Sequence, residues 1–108
     1  MILYNETVGV DLNLELEWLA WMKSSYIPQV MQTGLFKEFK IYKVLSSEEE
    51  GTVSYSVQYF AKSMDEVEEY LEVFAPGLIE DLREKFKDHH AVAFLIGNKQ
   101  ITTRRVYH

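Results

Sequence analysis

The sequence predicts an α+β fold in which two helices cover one face of a four-stranded antiparallel sheet. Apolar residues alternate with a period of two in four short stretches and recur with a helical period of about 3.6 in two longer stretches. These stretches follow the order strand, helix, strand, strand, helix, strand. That βαββαβ order is typical of a ferredoxin-like sandwich. It constrains architecture more than chemistry, because this fold hosts many unrelated activities.

The first strand and the first helix begin the chain. Alternation through Ile2, Tyr4, Val8 and Val10 predicts a strand with one apolar face. A helical pattern follows over residues 14–31, and one apolar stripe is predicted to cover the sheet. The stripe consists of Leu12, Leu16, Leu19, Met22, Tyr26 and Val30.

The first helix also carries a second apolar ridge, on nearly the opposite side, formed by Leu14, Trp18 and Trp21. We expect a partner or a loop to cover its two indoles, because large exposed apolar patches are unusual on isolated proteins. Pro28 lacks an amide hydrogen and disfavours a helical conformation at the residue before it. This predicts a kink or a break in the helix near Tyr26.

Three more strands and a second helix complete the chain. Alternation predicts strands over residues 36–45, 53–61 and 91–96. Ser63 and Glu66 have the spacing of a capping box, which predicts that the second helix begins there and continues over residues 64–86. We therefore predict a ferredoxin-like domain over residues 1–96, followed by a C-terminal arm or an extra strand over residues 97–108.

Composition argues against several classes of function. The formal net charge is -6, and the scattered Lys and Arg residues leave no extended basic surface for a nucleic acid. The chain has no cysteine, which excludes disulfides and thiolate catalysis. No apolar stretch approaches the roughly 18 residues of a membrane span. We expect a cytoplasmic protein that needs neither nucleic acid nor membrane.

The first and third strands should be neighbours at the centre of the sheet, and one face of each carries small polar side chains. Such a surface suits packing against another sheet. We predict a homodimer interface formed by Asn5, Thr7, Ser54, Ser56, Gln58 and Phe60.

The opposite face of the sheet is rich in tyrosine. We predict that a small apolar or aromatic ligand binds between the sheet and the helices, in contact with Tyr4, Met22, Tyr26, Tyr55 and Tyr59. Tyr26, beside the predicted kink, is expected at the mouth of a cavity. The alternative is a filled core in which the tyrosine hydroxyls reach water or backbone carbonyls.

No metal site and no cofactor are predicted. His89 and His90 are adjacent, and neighbouring residues of a strand point to opposite faces, so they are poorly placed to share one metal. His108 is the last residue. No Ser/His/Asp spacing or glycine-rich phosphate loop stands out in the sequence.

From residue 1 to about residue 94 the sequence resembles a bacterial family known only as a domain of unknown function. The stretches that carry this resemblance are MILYNETV (1–8), EWLAWMK (17–23), IP (27–28), TGLF (33–36), SYSVQY (54–59) and FAP (74–76). The family often has histidine where this chain has Tyr26 and arginine where it has Leu95. The resemblance implies the dimeric α/β-barrel superfamily, in which two ferredoxin-like protomers pack sheet to sheet. It therefore implies a homodimer, but no established activity.

Three functions remain open. The first is a homodimer that binds a small apolar or aromatic ligand, with or without catalysis. The second is a structural or interaction protein that binds no ligand. The third is a haem-binding protein, with a histidine such as His90 as the axial ligand, or a cofactor-independent enzyme of the monooxygenase kind.

Overall fold

The sheet has the predicted order of strands. The computed structural model describes residues 1–45, 51–87 and 90–98. Its strands are β1 (Ile2–Asp11), β2 (Glu38–Val44), β3 (Thr52–Ala61) and β4 (His90–Asn98). They lie in the order β2-β3-β1-β4, and each neighbouring pair is antiparallel. The ferredoxin-like α+β fold predicted from the sequence is confirmed.

Each of the two helices is interrupted by a π-helical turn. The first helix follows a 3-10 turn (Leu12–Leu14) and consists of α1 (Glu15–Trp21), a π turn (Met22–Tyr26) and α2 (Ile27–Gln32). The second consists of α3 (Met64–Glu69), a π turn (Tyr70–Phe74) and α4 (Ala75–Lys85).

A proline follows each π turn. Pro28 lies at the start of α2 and Pro76 at the start of α4. Because proline has no amide hydrogen to donate, the regular α-helical bonding pattern is interrupted at that point. The amide of Ile27 bonds instead to the carbonyl of Met22, five residues back, as is typical of a π turn. The irregularity predicted near Tyr26 is therefore present, but the helix continues through it.

Local sequence signals locate the second helix and the end of the first. Ser63 and Glu66 form the predicted capping box at the start of α3. Gly34 has a φ of 79°, a conformation that favours glycine, directly after the first helix. β4 continues to Asn98, and residues 99–108 of the predicted arm or extra strand lie outside the described part.

The buried face of the first helix is not the predicted one. Trp18 is fully buried, whereas Leu12 and Leu16 are 54% and 81% exposed. The prediction that these two leucines cover the sheet, with Trp18 on an opposite ridge, is wrong. At 100° per residue, Trp18, Met22 and Tyr26 lie within about 80° of one another around the axis, whereas Leu16 lies about 120° from Met22. A buried stripe centred on Met22 therefore includes Trp18 and leaves Leu16 exposed.

The indoles are covered by the chain's own side chains. Trp18 packs against Tyr55, with ring centroids 5.0 Å apart. Trp21 is half-buried and contacts Tyr26 and Phe86 at centroid distances of 5.7 and 5.6 Å. Neither indole therefore needs a second molecule to cover it.

One core fills the space between the helices and the sheet. The predicted apolar faces of β1 and β3 are both buried in it, and residues of both helices pack against them. The sheet residues of this core are Tyr4, Val8, Val10, Val53, Tyr55, Val57, Tyr59 and Ala61. The other face of the sheet carries the small polar side chains.

Candidate functional site

A carboxyl group lies inside this apolar core. Glu6 occupies β1 between Tyr4 and Val8 and has no exposure to solvent. The hydroxyls of Tyr4 and Tyr26 both donate to Glu6 Oε2, at 3.0 and 3.1 Å. Glu6 Oε1 has no hydrogen-bond partner among the residues that the structure describes. Buried polar atoms are normally paired, so the unpaired oxygen makes this carboxyl group a candidate site.

Two more tyrosines approach Glu6. Tyr59 is the cross-strand partner of Tyr4 on β3, and Tyr70 begins the second π turn. Both are fully buried, and within the described part of the chain neither hydroxyl has a hydrogen-bond partner. We refer to Glu6 with Tyr4, Tyr26, Tyr59 and Tyr70 as the Glu6 cluster.

The pKa values of Tyr59 and Tyr70 reflect this setting. Burial raises both above the ordinary value of 10.0, and the nearby charge of Glu6 adds to the rise. The Tyr26 hydroxyl is close enough to Tyr70 to offset part of the Tyr70 rise, although the two hydroxyls lack hydrogen-bond geometry. Both phenols therefore remain protonated donors at neutral pH.

The pKa of Glu6 is raised from 4.5 to about 7. Burial is the main cause, because it disfavours the charged form. The hydrogen bonds from Tyr4 and Tyr26 act in the opposite direction, since they stabilise the carboxylate. Near neutral pH, Glu6 therefore exists in both its protonated and its ionised form.

A phenylalanine covers the cluster. Phe36 lies between α2 and β2, and its ring packs against Tyr70, Tyr59 and Tyr4 at centroid distances of 5.0, 5.3 and 6.2 Å. These spacings are those of stacked and edge-to-face aromatic pairs. The cluster is thus a set of polar atoms enclosed by aromatic rings.

The π turns supply both helical tyrosines of the cluster. Tyr26 is the last residue of the first π turn, and Tyr70 is the first residue of the second. Isolated π turns inside α-helices are frequent at functional sites. Here the first brings the Tyr26 hydroxyl to Glu6, and the second places Tyr70 close enough for the charge of Glu6 to raise its pKa.

Tyr55 belongs to a different group of side chains. Its hydroxyl donates to Glu15 Oε2 at 2.5 Å, and Lys43 Nζ lies 3.0 Å from the same oxygen. The Tyr55 bond and the Lys43 contact hold the pKa of Glu15 below 4.5, and burial with the Glu15 bond raises the pKa of Tyr55 to about 12. This group links the start of α1 to β2 and β3.

The predicted ligand-binding residues therefore do not all lie in one site. Tyr4, Tyr26 and Tyr59 meet around Glu6, Tyr55 bonds to Glu15, and Met22 is buried in the first π turn. Tyr26 has no exposed surface, so the expectation that it stands at an open mouth is wrong. The π turn absorbs the irregularity before Pro28, and Trp21 packs over the Tyr26 ring. Ligand binding itself stays a prediction.

Sequence reasoning assigned no role to Glu6 and Tyr70. The signal for Glu6 was present, because the period of two that groups Tyr4 with Val8 places residue 6 on the same buried face. For Tyr70 the signal is weak, since it lies outside the apolar stripe that a uniform helical period defines.

The predicted interface residues share the other face of β1 and β3. Asn5 Nδ2 donates to Thr7 Oγ1 at 2.8 Å, and Ser56 Oγ donates to Asn5 Oδ1 at 2.5 Å. Gln58 Nε2 donates to Ser56 Oγ at 3.3 Å. Ser54 lies half-buried beside them, while Phe60 is buried, with Lys40 Nζ 5.5 Å from its ring centroid. Their role as an interface stays a prediction.

Across the described residues, no three His, Cys, Asp or Glu side chains are grouped in a way that could hold a metal ion. His89, His108 and the side chain of His90 lie outside the described part. Within the same described ranges, no helix has the length and apolar character to cross a membrane.

The profile of a protein family described as "Domain of unknown function (DUF4286)" matches residues 1–95. The chain belongs to the DUF4286 family. No curated protein matches this DUF4286 chain significantly.

Solved structures share the fold of the DUF4286 chain. HapK from Hahella chejuensis is similar with a TM-score of 0.66 at 12% identity, over 92% of each chain. A dimeric ferredoxin-like protein from an uncultured marine organism gives 0.62 at 16% identity, over 91% of this chain and 93% of the other. A proposed antibiotic biosynthesis monooxygenase from Deinococcus radiodurans gives 0.59 at 10% identity, over 91% of each chain. At these identities the likeness concerns the fold alone.

Proposed function

We propose that this DUF4286 chain is a homodimer that binds a small, largely apolar or aromatic molecule at the Glu6 cluster. One observation carries the proposal: the described residues leave Glu6 Oε1 and the hydroxyls of Tyr59 and Tyr70 buried without hydrogen-bond partners. Leaving a buried polar group unpaired costs about 1–3 kcal/mol. A ligand that brings a polar atom of its own into the cluster recovers part of that free energy.

The surroundings of these atoms favour an aromatic ligand. The rings of Tyr4, Phe36 and Tyr59 pack against one another around the polar atoms. A planar aromatic ligand can pack against one of these rings in place of a neighbouring side chain. Because the cluster is closed to solvent, the ligand enters when a covering side chain moves, and Phe36 is the cover that lies on a loop.

The homodimer is proposed from the polar face of the sheet. The hydrogen-bonded row Asn5, Thr7, Ser56 and Gln58 lies on the side opposite the helices. A structure with the same fold is described as dimeric, which supports an arrangement of two protomers packed sheet to sheet. In this arrangement the ligand sites and the interface use opposite faces of each sheet.

The binding proposal is tested with 2-naphthol, a planar aromatic molecule with one hydroxyl group. We expect 2-naphthol to bind in equilibrium dialysis, and naphthalene, which lacks the hydroxyl, to bind more weakly. Tyr59→Phe and Tyr70→Phe should each weaken 2-naphthol binding by about 2- to 13-fold, equivalent to the roughly 0.5–1.5 kcal/mol of one hydrogen bond.

Tyr55→Phe is the matched control, because the Tyr55 hydroxyl is bonded to Glu15 outside the Glu6 cluster. Its affinity for 2-naphthol should equal that of the unchanged protein. If neither compound binds, or if naphthalene binds as tightly as 2-naphthol, the proposed function is wrong.

The second candidate is an interaction protein without a ligand, and the polar row on the open sheet face favours it. In that case Tyr59→Phe changes the free energy of unfolding, and there is no ligand affinity for it to change. The same dialysis experiment distinguishes the two functions, since only the first requires a hydroxyl-dependent affinity.

A further inference from the structure

The two carboxyl oxygens of Glu6 differ in their hydrogen bonding. Oε2 accepts from Tyr4 and Tyr26, which fixes the orientation of the carboxyl group. Oε1 has no partner in the described part of the chain. A carboxylate held by one oxygen and open at the other can accept a proton from a bound molecule without losing its position.

We infer that the Glu6 cluster catalyses proton transfer on an apolar or aromatic ketone, with Glu6 as the acid–base residue and the Tyr59 and Tyr70 hydroxyls as donors to the carbonyl oxygen. This inference rests on the proposed function, because the ketone has to occupy the proposed ligand site. The reaction class is enolisation, followed by return of the proton to the same carbon or to a conjugated carbon.

The step balances without a cofactor. Glu6 Oε1 takes a proton from the carbon next to the carbonyl group, and the C–H electron pair forms the C=C bond of an enolate. The carbonyl electrons move to oxygen, where hydrogen bonds from the two tyrosines stabilise the developing charge. Protonated Glu6 then returns a proton either to a conjugated carbon, which is an isomerisation, or to the same carbon after the Glu6 proton has exchanged with water, which is a hydrogen exchange. Neither outcome needs an oxidant or a reductant.

Among the described side chains of the Glu6 cluster, Glu6 is the only one that can accept a proton near neutral pH. The titratable neighbours are Tyr4 on β1, Tyr59 on β3, and Tyr26 and Tyr70 on the two π turns. All four have raised pKa values and stay protonated at neutral pH. The β4 residue in register with Glu6 is Phe94, which does not titrate.

The pKa of Glu6 also suits this role. Burial brings it to about 7, and a general base works best when its pKa lies near the operating pH. Val57, the cross-strand neighbour of Glu6 on β3, provides no charge that would compete. The geometry and the protonation state therefore agree.

The test follows the hydrogens next to the carbonyl group of 2-tetralone, a bicyclic aromatic ketone, as they exchange with D2O. We expect the protein to accelerate this exchange, measured by NMR, with a rate that rises with pH and levels off above about pH 7. Glu6→Gln should lower the protein-catalysed rate constant by about 100-fold or more, the usual contribution of general acid–base catalysis. Tyr59→Phe should lower it by about 100-fold, as expected for the loss of an oxyanion donor.

Two controls keep the result specific. Tyr55→Phe should leave the exchange rate unchanged, and Glu6→Asp should retain part of it because a carboxylate is still present. Circular dichroism and dialysis with 2-tetralone establish that Glu6→Gln is folded and still binds the ketone.

The outcomes separate this inference from the binding proposal. If 2-tetralone binds but its exchange is not accelerated, or if Glu6→Gln keeps the full rate, the acid–base role is overturned while ligand binding stands. If 2-naphthol binds and 2-tetralone does not, the ketone class is wrong. If neither binds, the proposed function fails first.

Discussion

Glu6 makes the stability of the fold depend on pH in the range below and around neutrality. Its pKa rises from 4.5 to about 7 on folding, so the folded chain holds this proton more tightly than the unfolded chain. The free energy of unfolding therefore contains a contribution that is fully present below about pH 4.5 and is lost as the pH rises through about 7. A rise of this size corresponds to about 3 kcal/mol.

Glu6→Gln removes this dependence, because glutamine has nearly the same shape and no charge at any pH. We expect the variant to be more stable than the unchanged protein at pH 8, by up to about 3 kcal/mol, and to differ little at pH 4.5. Urea unfolding at the two pH values measures the difference. The exposed Glu17→Gln serves as the control for replacing a glutamate by glutamine. Parallel profiles for the protein and Glu6→Gln would contradict the assignment.

Residue alternation predicted the two faces of β1 and β3 correctly, down to the individual side chain. The same alternation places Glu6 in the core, and only its residue type argues for the surface. The sequence does not reveal that Tyr26 donates a hydrogen bond to Glu6. The two residues are 20 positions apart, and only the folded backbone brings the Tyr26 hydroxyl to the carboxyl group.

Among the elements, the first helix departs most from its prediction. The predicted stripe placed Leu16 in the core and Trp18 outside it, and the structure reverses both. A period of 3.6 residues fits either stripe, because Trp18 lies only about 40° from Met22 around the helix axis. The second helix was easier to predict, because Ser63 and Glu66 give a local signal for its start and Val67 and Leu82 of its stripe are fully buried. Pro28 predicted an irregularity, but a proline does not specify whether a helix kinks, ends or forms a π turn.

Glu15 connects the start of α1 to the sheet through Tyr55 and Lys43. Tyr55→Phe removes the hydroxyl that donates to Glu15, so the start of α1 loses one of its links to the sheet. We expect the melting temperature to fall by a few degrees while 2-naphthol affinity stays unchanged. Lys43 still contacts Glu15 in this variant, so the fall should be smaller than that caused by Glu15→Ala. A fall in affinity with no change in melting temperature would instead place Tyr55 in the ligand site.

For the whole molecule, the order of strands was predictable because the βαββαβ order permits few arrangements. Assembly is less predictable. The polar row on the open sheet face is satisfied by its own hydrogen bonds, so it does not by itself require a partner. Stable interfaces bury about 1,200–2,000 Å² in total, an area that a sheet face of this size can supply.

Light scattering with size-exclusion chromatography measures the assembly. We expect a mass of twice 12.7 kDa at micromolar concentration. Ser56→Arg places a large charge in the middle of the polar row and should shift the protein to the monomer, whereas Ser24→Arg on the exposed side of the first helix should not. A monomer mass for the unchanged protein at this concentration would overturn the homodimer.

The π turns have a consequence for how the Glu6 cluster can be altered by a change in the gene. A turn closed by a bond to the fifth residue back contains one amino acid more than an α-helical turn, so each helix is one codon longer than an uninterrupted α-helix would be. Deleting one residue between Met22 and Ile27 would make the Met22 carbonyl the fourth residue back from the Ile27 amide, so the turn would close as an α-helical turn with its flanks in the same phase. The deletion would remove the bulge beside Glu6 and leave the rest of the helix in place. Single-codon changes within the two π turns are therefore mutations that reshape this side of the Glu6 cluster.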